Sequence, residues 1–166
     1  MDMKTQNWSG KAEGPVGLII RQKDPNNLEM PFDQLGEFIT PSELFYIRSH
    51  FPIPELDPVA FRLSIRGAVR NELSLSYAAL PAMPSRKCVA TLECAGNSRV
   101  FLAPPVPGAQ WELGAVGNAE WTGVPLSVLL ESAGLADGVC DIVLEGADRG
   151  VPKERSEERR VGKECW

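Results

Sequence analysis

Cys94 sits in Thr91-Leu92-Glu93-Cys94-Ala95-Gly96-Asn97-Ser98-Arg99, where a strand-like run breaks at Gly96-Asn97. A cysteine at the end of a buried strand, followed by a tight turn, can present its sulfur to a site. A nearby cation such as Arg99 favours the thiolate, the form that binds metals and attacks electrophiles. The plain alternative is a packed cysteine before an ordinary turn. Cys88 and Cys140 lie within apolar runs and read as packed cysteines of that kind. Cys88 and Cys94 do not have a recognised metal-ligand spacing. On one strand they share a face about 20 Å apart at ~3.3 Å per residue, too far to bridge. The second constellation is Arg48-Ser49-His50, ahead of a Pro-rich segment. Guanidinium and imidazole are natural ligands for phosphate and other oxyanions, although a surface Arg and a loop His would look the same. The third runs from Gly114 through Gly117, Asn118, Glu120 and Trp121 to Gly123. It lacks the glycine spacing of a dinucleotide fingerprint. Its glycines allow backbone to approach a ligand closely, and Trp121 can either pack or line a pocket with its indole N–H.

These residues need elements to position them. Gly17 to Arg21 is a short apolar arm, followed by a turn cluster at Lys23-Asp24-Pro25-Asn26-Asn27. Thr40-Pro41-Ser42-Glu43 fits a capping box, and the preferred reading is one turn followed by a strand through Leu44 to Ile47. Phe51-Pro52-Ile53-Pro54 must be extended, because each proline disfavours the helical region for its predecessor. Phe61 to Gly67 alternates apolar and polar residues, as a half-buried strand does. Ser76 can cap a short helix ending near Leu80. Lys87 to Glu93 reads as a strand with Cys88, Ala90 and Leu92 on one face. Pro125 to Ala133 reads as a helix with Leu126, Leu129 and Leu130 on one face and Gly134 as its stop. Asp141 to Glu145 reads as a buried strand, and Ala103 to Gly108 as a Pro-rich connector. Short strands with few helices predict an α+β fold, with mixed sheets and short helices.

The composition narrows the chemistry. The 166 residues are 43% hydrophobic and 23% charged, which suits one globular domain. A net charge of -5 argues against nucleic-acid binding. One histidine cannot build a three-His zinc site or a bis-His haem, and there is no Cys-x-x-Cys-His, so no haem is expected in this chain. Met1 to Lys11 is polar, and no apolar run approaches a membrane span. As written the chain stays in the cytosol; an export signal upstream of this start would direct it to the periplasm. Arg155 to Cys165 equals the one-frame translation of a common short-read sequencing adapter over eleven codons. Residues 155–166 are therefore expected to be a non-native tail on a partial domain spanning 1–154. The coding DNA after Glu154 tests this, and codons that differ from the adapter would sink it.

Together the three blocks resemble the sulfite oxidase family of molybdopterin-dependent oxidoreductases. The carriers are Phe45-Tyr46-Ile47-Arg48-Ser49-His50-Phe51-Pro52-Ile53-Pro54, Leu92-Glu93-Cys94-Ala95-Gly96-Asn97 and Asn118-Ala119-Glu120-Trp121-Thr122-Gly123-Val124. The likeness spans roughly Gly17 to Gly150. It implies a truncated molybdopterin-binding fold with Cys94 as the thiolate ligand of molybdenum in a molybdopterin cofactor. It implies that His50 contacts the pterin, that Arg48 and Arg99 neutralise an oxyanion, and that Trp121 lines the pocket. The family usually has Asn at the position of Ser49, a swap that shortens one hydrogen-bonding side chain, and often Arg at that of Ser98. The implied reaction is oxidation of sulfite to sulfate, with electrons passed singly to a separate acceptor such as a cytochrome. Reduction of a sulfoxide or nitrate is the alternative within the family, and a non-catalytic module of the same fold the alternative outside it. Family members continue well past this length, with further pterin contacts, a pocket tyrosine and usually an immunoglobulin-like dimerisation domain. The intact protein is thus expected to be a homodimer, and the chain as written to bind cofactor poorly.

Overall fold

The computed structural model describes residues 17–150, which separate into two compact units. The polar start at Met1 to Lys11 and the tail from Arg155 lie outside the described residues.

The first unit comprises 17–53, 91–119 and 149–150. Its sheet has strands β1 (Ile19–Gln22), β2 (Asn27–Glu29) and β3 (Ile47–Arg48), in that order. β1 and β2 are antiparallel, joined by the expected turn at Lys23 to Asn26. The supposed arm is therefore a paired strand. β2 pairs in turn with β3, placing Asn27 opposite Arg48 and Leu28 opposite Ile47. Leu28, Met30, Trp111 and Ala115 form the apolar centre of this unit. Thr40 does not cap a helix. Its hydroxyl accepts the Asn118 N–H at 3.1 Å and its own N–H donates to the Asn118 carbonyl at 2.8 Å. One turn does follow, closed by Leu44 N–H to Pro41 O at 2.9 Å, but the strand after it is only Ile47–Arg48.

The second unit comprises 54–90 and 120–148. β4 (Arg62–Ile65) and β5 (Leu73–Ser76) form an antiparallel hairpin, and Ser76 leads into a 3-10 helix over Tyr77–Ala82. Helix α1 runs Leu126–Ala133, with Pro125 before it and Gly134 at φ 67 closing it. Its buried stripe is Leu129 and Ala133, while Leu126 is 43% exposed. The hairpin is tied to the end of α1 by Arg70 N–H to Gly134 O at 2.7 Å and Asn71 N–H to Ala133 O at 2.9 Å.

β6 (Arg86–Glu93) and β7 (Val116–Gly123) form a two-stranded sheet, and each contributes one end to each unit. A sheet of two strands covers little of its own faces. Hence the face expected to bury Cys88, Ala90 and Leu92 does not: only Ala90 is half-buried and Cys88 is exposed. Cys140 is exposed too, so neither cysteine is the packed residue the sequence suggested. Asp141 to Glu145 is not a strand. It has a single bridge residue, Leu144, and Val143 is 71% exposed. An apolar run becomes a strand only where a neighbour offers backbone groups to pair with, and here that pairing is confined to one residue. Among the described residues no helix is long and apolar enough to cross a membrane.

Candidate active site

β6 delivers Cys94 to a bend that is stitched along its length to residues 111–115. Cys94 N–H donates to Ala115 O at 2.9 Å, Ser98 N–H to Glu112 O at 2.6 Å, and Val100 N–H to Trp111 O at 3.2 Å. Within the bend, Asn97 N–H donates to Cys94 O at 2.8 Å and Arg99 N–H to Gly96 O at 3.1 Å. Asn97 locks both sides. Its Oδ1 accepts the Ala115 N–H at 3.1 Å, and its Nδ2 donates to Glu93 Oε1 at 2.9 Å. Ser98 adopts the left-handed conformation, φ 66 and ψ 11, which turns the chain into the 3-10 helix Arg99–Phe101. The Cys94 sulfur is half-buried and accepts the Gly96 N–H at 3.4 Å.

Two glycines make room for that cation. A Cβ on Gly96 would stand 2.7 Å from an Arg99 terminal nitrogen, and one on Gly108 would overlap the guanidinium outright. Gly108 is also at φ 121, a region L side chains avoid. Arg99 Nη1 donates to Ala109 O at 3.3 Å, which fixes the group in that slot.

Residues 112–115 are anchored from β2. Glu29 is 1% exposed, and its carboxylate accepts Gly114 N–H at 2.6 Å and Glu112 N–H at 3.2 Å. It also pairs with Arg21, which reaches Glu112 at 2.9 Å. Burial works to lower the Arg21 pKa, but its bonds to Glu29 and Glu112 outweigh that and raise it. Gly114 and Gly117, which the sequence offered to a ligand, close instead on protein. A Cβ on Gly114 would overlap the Met30 carbonyl, and one on Gly117 would meet the Phe45 ring at 2.6 Å.

Arg48, Ser49 and His50 form the other half, at the end of β3. The Arg48 guanidinium lies 3.0 Å from His50 Nδ1, reaches Asn27 Oδ1 at 3.4 Å and folds back on the Ser49 carbonyl. Asn27 is 1% exposed, and its Oδ1 accepts the Ser49 N–H at 2.9 Å while Nδ2 donates to Ser49 O at 3.2 Å. Tyr46 connects this half to Cys94. It stands edge-on to buried Trp111, with ring centroids 6.5 Å apart. Burial, then the negative charge of Cys94 and of Glu93, raises the pKa of its phenol.

Arg48, Ser49, His50, Cys94 and Arg99 all belong to the first unit. Trp121 belongs to the second unit, where it is 42% exposed and its indole N–H donates to Ala90 O at 3.1 Å. Sequence reasoning missed Asn27, Glu29 and Tyr46. The available signal was Asn-Leu-Glu-Met, two polar residues alternating with two apolar ones directly after a turn. The Nε1 of Trp111 is buried without a hydrogen-bond partner. No group of three or more His, Cys, Asp or Glu that could hold a metal ion occurs among the described residues.

The family model "Oxidoreductase molybdopterin binding domain" matches residues 50–163. A sulfite oxidase of Gallus gallus is 39% identical over 148 residues, 85% of this chain and 32% of its own length. A nitrate reductase [NADH] of Solanum lycopersicum is 34% identical over 151 residues, 86% of this chain and 16% of its own. Among solved structures, the sulfane dehydrogenase SoxCD of Paracoccus pantotrophus superimposes with a TM-score of 0.67 at 31% identity, covering 76% of this chain and 33% of that one. The chain spans about a third of the length of the chicken relative it matches. The α+β fold expected from the sequence agrees with that structural likeness, and the chain belongs to the family of oxidoreductase molybdopterin-binding domains.

Proposed function

We propose that the intact protein oxidises sulfite to sulfate, and that this chain supplies its metal ligand and the oxyanion-binding side chains. The observation that carries the reading is the Cys94 bend, a half-buried thiol hydrogen-bonded by Gly96 N–H with Arg99 seated in the same turn. Such a thiol fits a metal that brings its other ligands with its cofactor, since the described residues hold no cluster that could bind one alone. When bound, the molybdenum-molybdopterin cofactor supplies the two-electron chemistry. Cys94 holds the metal. His50 contacts the pterin, and Ser49, whose main chain is engaged by Asn27, offers its hydroxyl. Arg48 and Arg99 bind and orient the anion, which suits sulfite better than a neutral sulfoxide. Electrons leave singly to a separate acceptor such as a cytochrome, and the intact protein is a homodimer.

The test uses the full-length protein with its cofactor. Sulfite-dependent reduction of cytochrome c is measured beside nitrate and methionine sulfoxide reduction. Turnover of sulfite that disappears in Cys94→Ser supports the reading. Nitrate reduction without sulfite oxidation would replace it with the second reading, which the likeness to a nitrate reductase favours.

A further inference from the structure

We infer that Asn27 and Glu29 are positioning residues, each holding one half of the candidate site; the inference rests on the sulfite oxidation proposed above. β2 is three residues long, yet Asn27, Leu28 and Glu29 are 1%, 2% and 1% exposed. Strand alternation sends Asn27 and Glu29 to one face and Leu28 to the other. Polar groups buried this deeply must be hydrogen-bonded. Their partners here are the segments that carry the site residues.

Asn27 acts as a stand-in for a peptide group. It accepts from Ser49 N–H and donates to Ser49 O, so one side chain holds both main-chain groups of the residue between Arg48 and His50. Its Nδ2 also donates to Pro25 O at 3.0 Å, and its Oδ1 lies 3.4 Å from Arg48 Nη1. Glu29 does the corresponding work for the thiol. It holds the amides of Glu112 and Gly114. The same segment accepts the amides of Cys94 and Ser98 through Ala115 O and Glu112 O. Two steps of hydrogen bonding therefore separate Glu29 from Cys94. Asn27 sets the oxyanion arm, and Glu29 sets the sulfur.

The two roles separate experimentally in the full-length protein. Asn27→Asp keeps the acceptor but cannot donate to Ser49 O. Losing two neutral hydrogen bonds, to Ser49 O and Pro25 O, it raises KM for sulfite about tenfold with kcat within about twofold. It leaves the iodoacetamide alkylation rate of Cys94, read by mass spectrometry on cofactor-free protein, unchanged. Glu29→Gln does the reverse. It changes that alkylation rate by about threefold or more and lowers kcat, with KM moved less. If Glu29→Gln does not fold, Arg21→Lys loosens the same clamp and moves alkylation in the same direction. The inference is overturned if both variants lose kcat and KM together in proportion to thermal stability, or if neither changes. Should the wild type not oxidise sulfite, the functional reading falls alone. Amide exchange at Ser49 in Asn27→Asp and alkylation of Cys94 in Glu29→Gln would still decide the positioning roles.

Discussion

Gly96→Ala and Gly108→Ala press on the same guanidinium from two sides, but only one strains the backbone. At Gly96 the new Cβ would lie 2.7 Å from an Arg99 terminal nitrogen, the far end of a flexible side chain, and the Gly96 N–H to Cys94 sulfur bond is kept. The guanidinium can swing away, so the fold should lose less than about 1 kcal/mol. Arg99 would then leave its seat and its bond to Ala109 O. Losing one charged contact to the anion is worth about 1.5–3 kcal/mol, or about 10- to 150-fold in kcat/KM. At Gly108 the Cβ meets the same group, and φ 121 adds backbone strain of about 1–3 kcal/mol. Gly96→Ala should therefore lose sulfite kcat/KM at nearly constant Tm, and Gly108→Ala should lose both. The assay is steady-state sulfite oxidation beside thermal denaturation of the full-length enzyme. Repeating both substitutions on Arg99→Ala should abolish their kinetic effect and leave the Gly108 stability loss. A kinetic loss that persists without Arg99 would refute the reasoning.

Other outcomes follow from the same contacts. Cys94→Ser should abolish sulfite oxidation with little change in thermal stability, because the sulfur takes part in one long hydrogen bond, 3.4 Å; calorimetry beside activity checks both. The Tyr46 phenol, with its pKa raised first by burial and then by Cys94 and Glu93, should ionise above 10. The native state then holds this proton more tightly than the unfolded chain, so stability falls as pH rises above 10, and Tyr46→Phe removes that part of the fall. Tyrosinate absorbance during alkaline titration should show Cys94→Ser lowering the Tyr46 pKa only in part, since burial remains. Leu129→Ala, on the buried stripe of α1, should destabilise the fold by about 2–5 kcal/mol in urea unfolding. Glu120→Gln breaks the exposed 2.7 Å pair with Lys87 and should lower the raised Lys87 pKa while leaving Tm unchanged.

What could be read from the sequence was local. The Cys94 bend announced itself because a strand pattern stops at Gly96-Asn97, and β6 begins at Arg86, one residue from the expected start. α1 was legible because Pro125 and Gly134 bracket a leucine-rich stretch. β2 was not, since periodicity weighs apolar residues and β2 is buried through polar ones. Asn27 finds Ser49 22 residues away, and Glu29 finds Gly114 85 residues away. β7 hid for a related reason: Gly117, Asn118 and Glu120 are poor strand formers on their own, and Gly117 is there to admit the Phe45 ring. The opposite error occurred at Asp141 to Glu145, where a strong apolar pattern has only one bridge residue. The direction of each polar contact, including the fold-back of Arg48 onto Ser49 O, depends on partners distant in sequence or on rotamers that composition does not encode.

The left-handed Ser98 sets a rule for which sequences this bend can accept. An L residue at φ 66 pays roughly 1–2 kcal/mol, and a β-branched one more. Glycine escapes the penalty, and asparagine or aspartate can offset it through local hydrogen bonds. A library randomised at position 98 and selected for turnover should exclude Val and Ile, while Gly, Asn, Asp and unbranched residues are tolerated. The turn behind the sulfur is in this sense a filter on sequence variation, one that acts through the backbone of a side chain with no chemistry of its own.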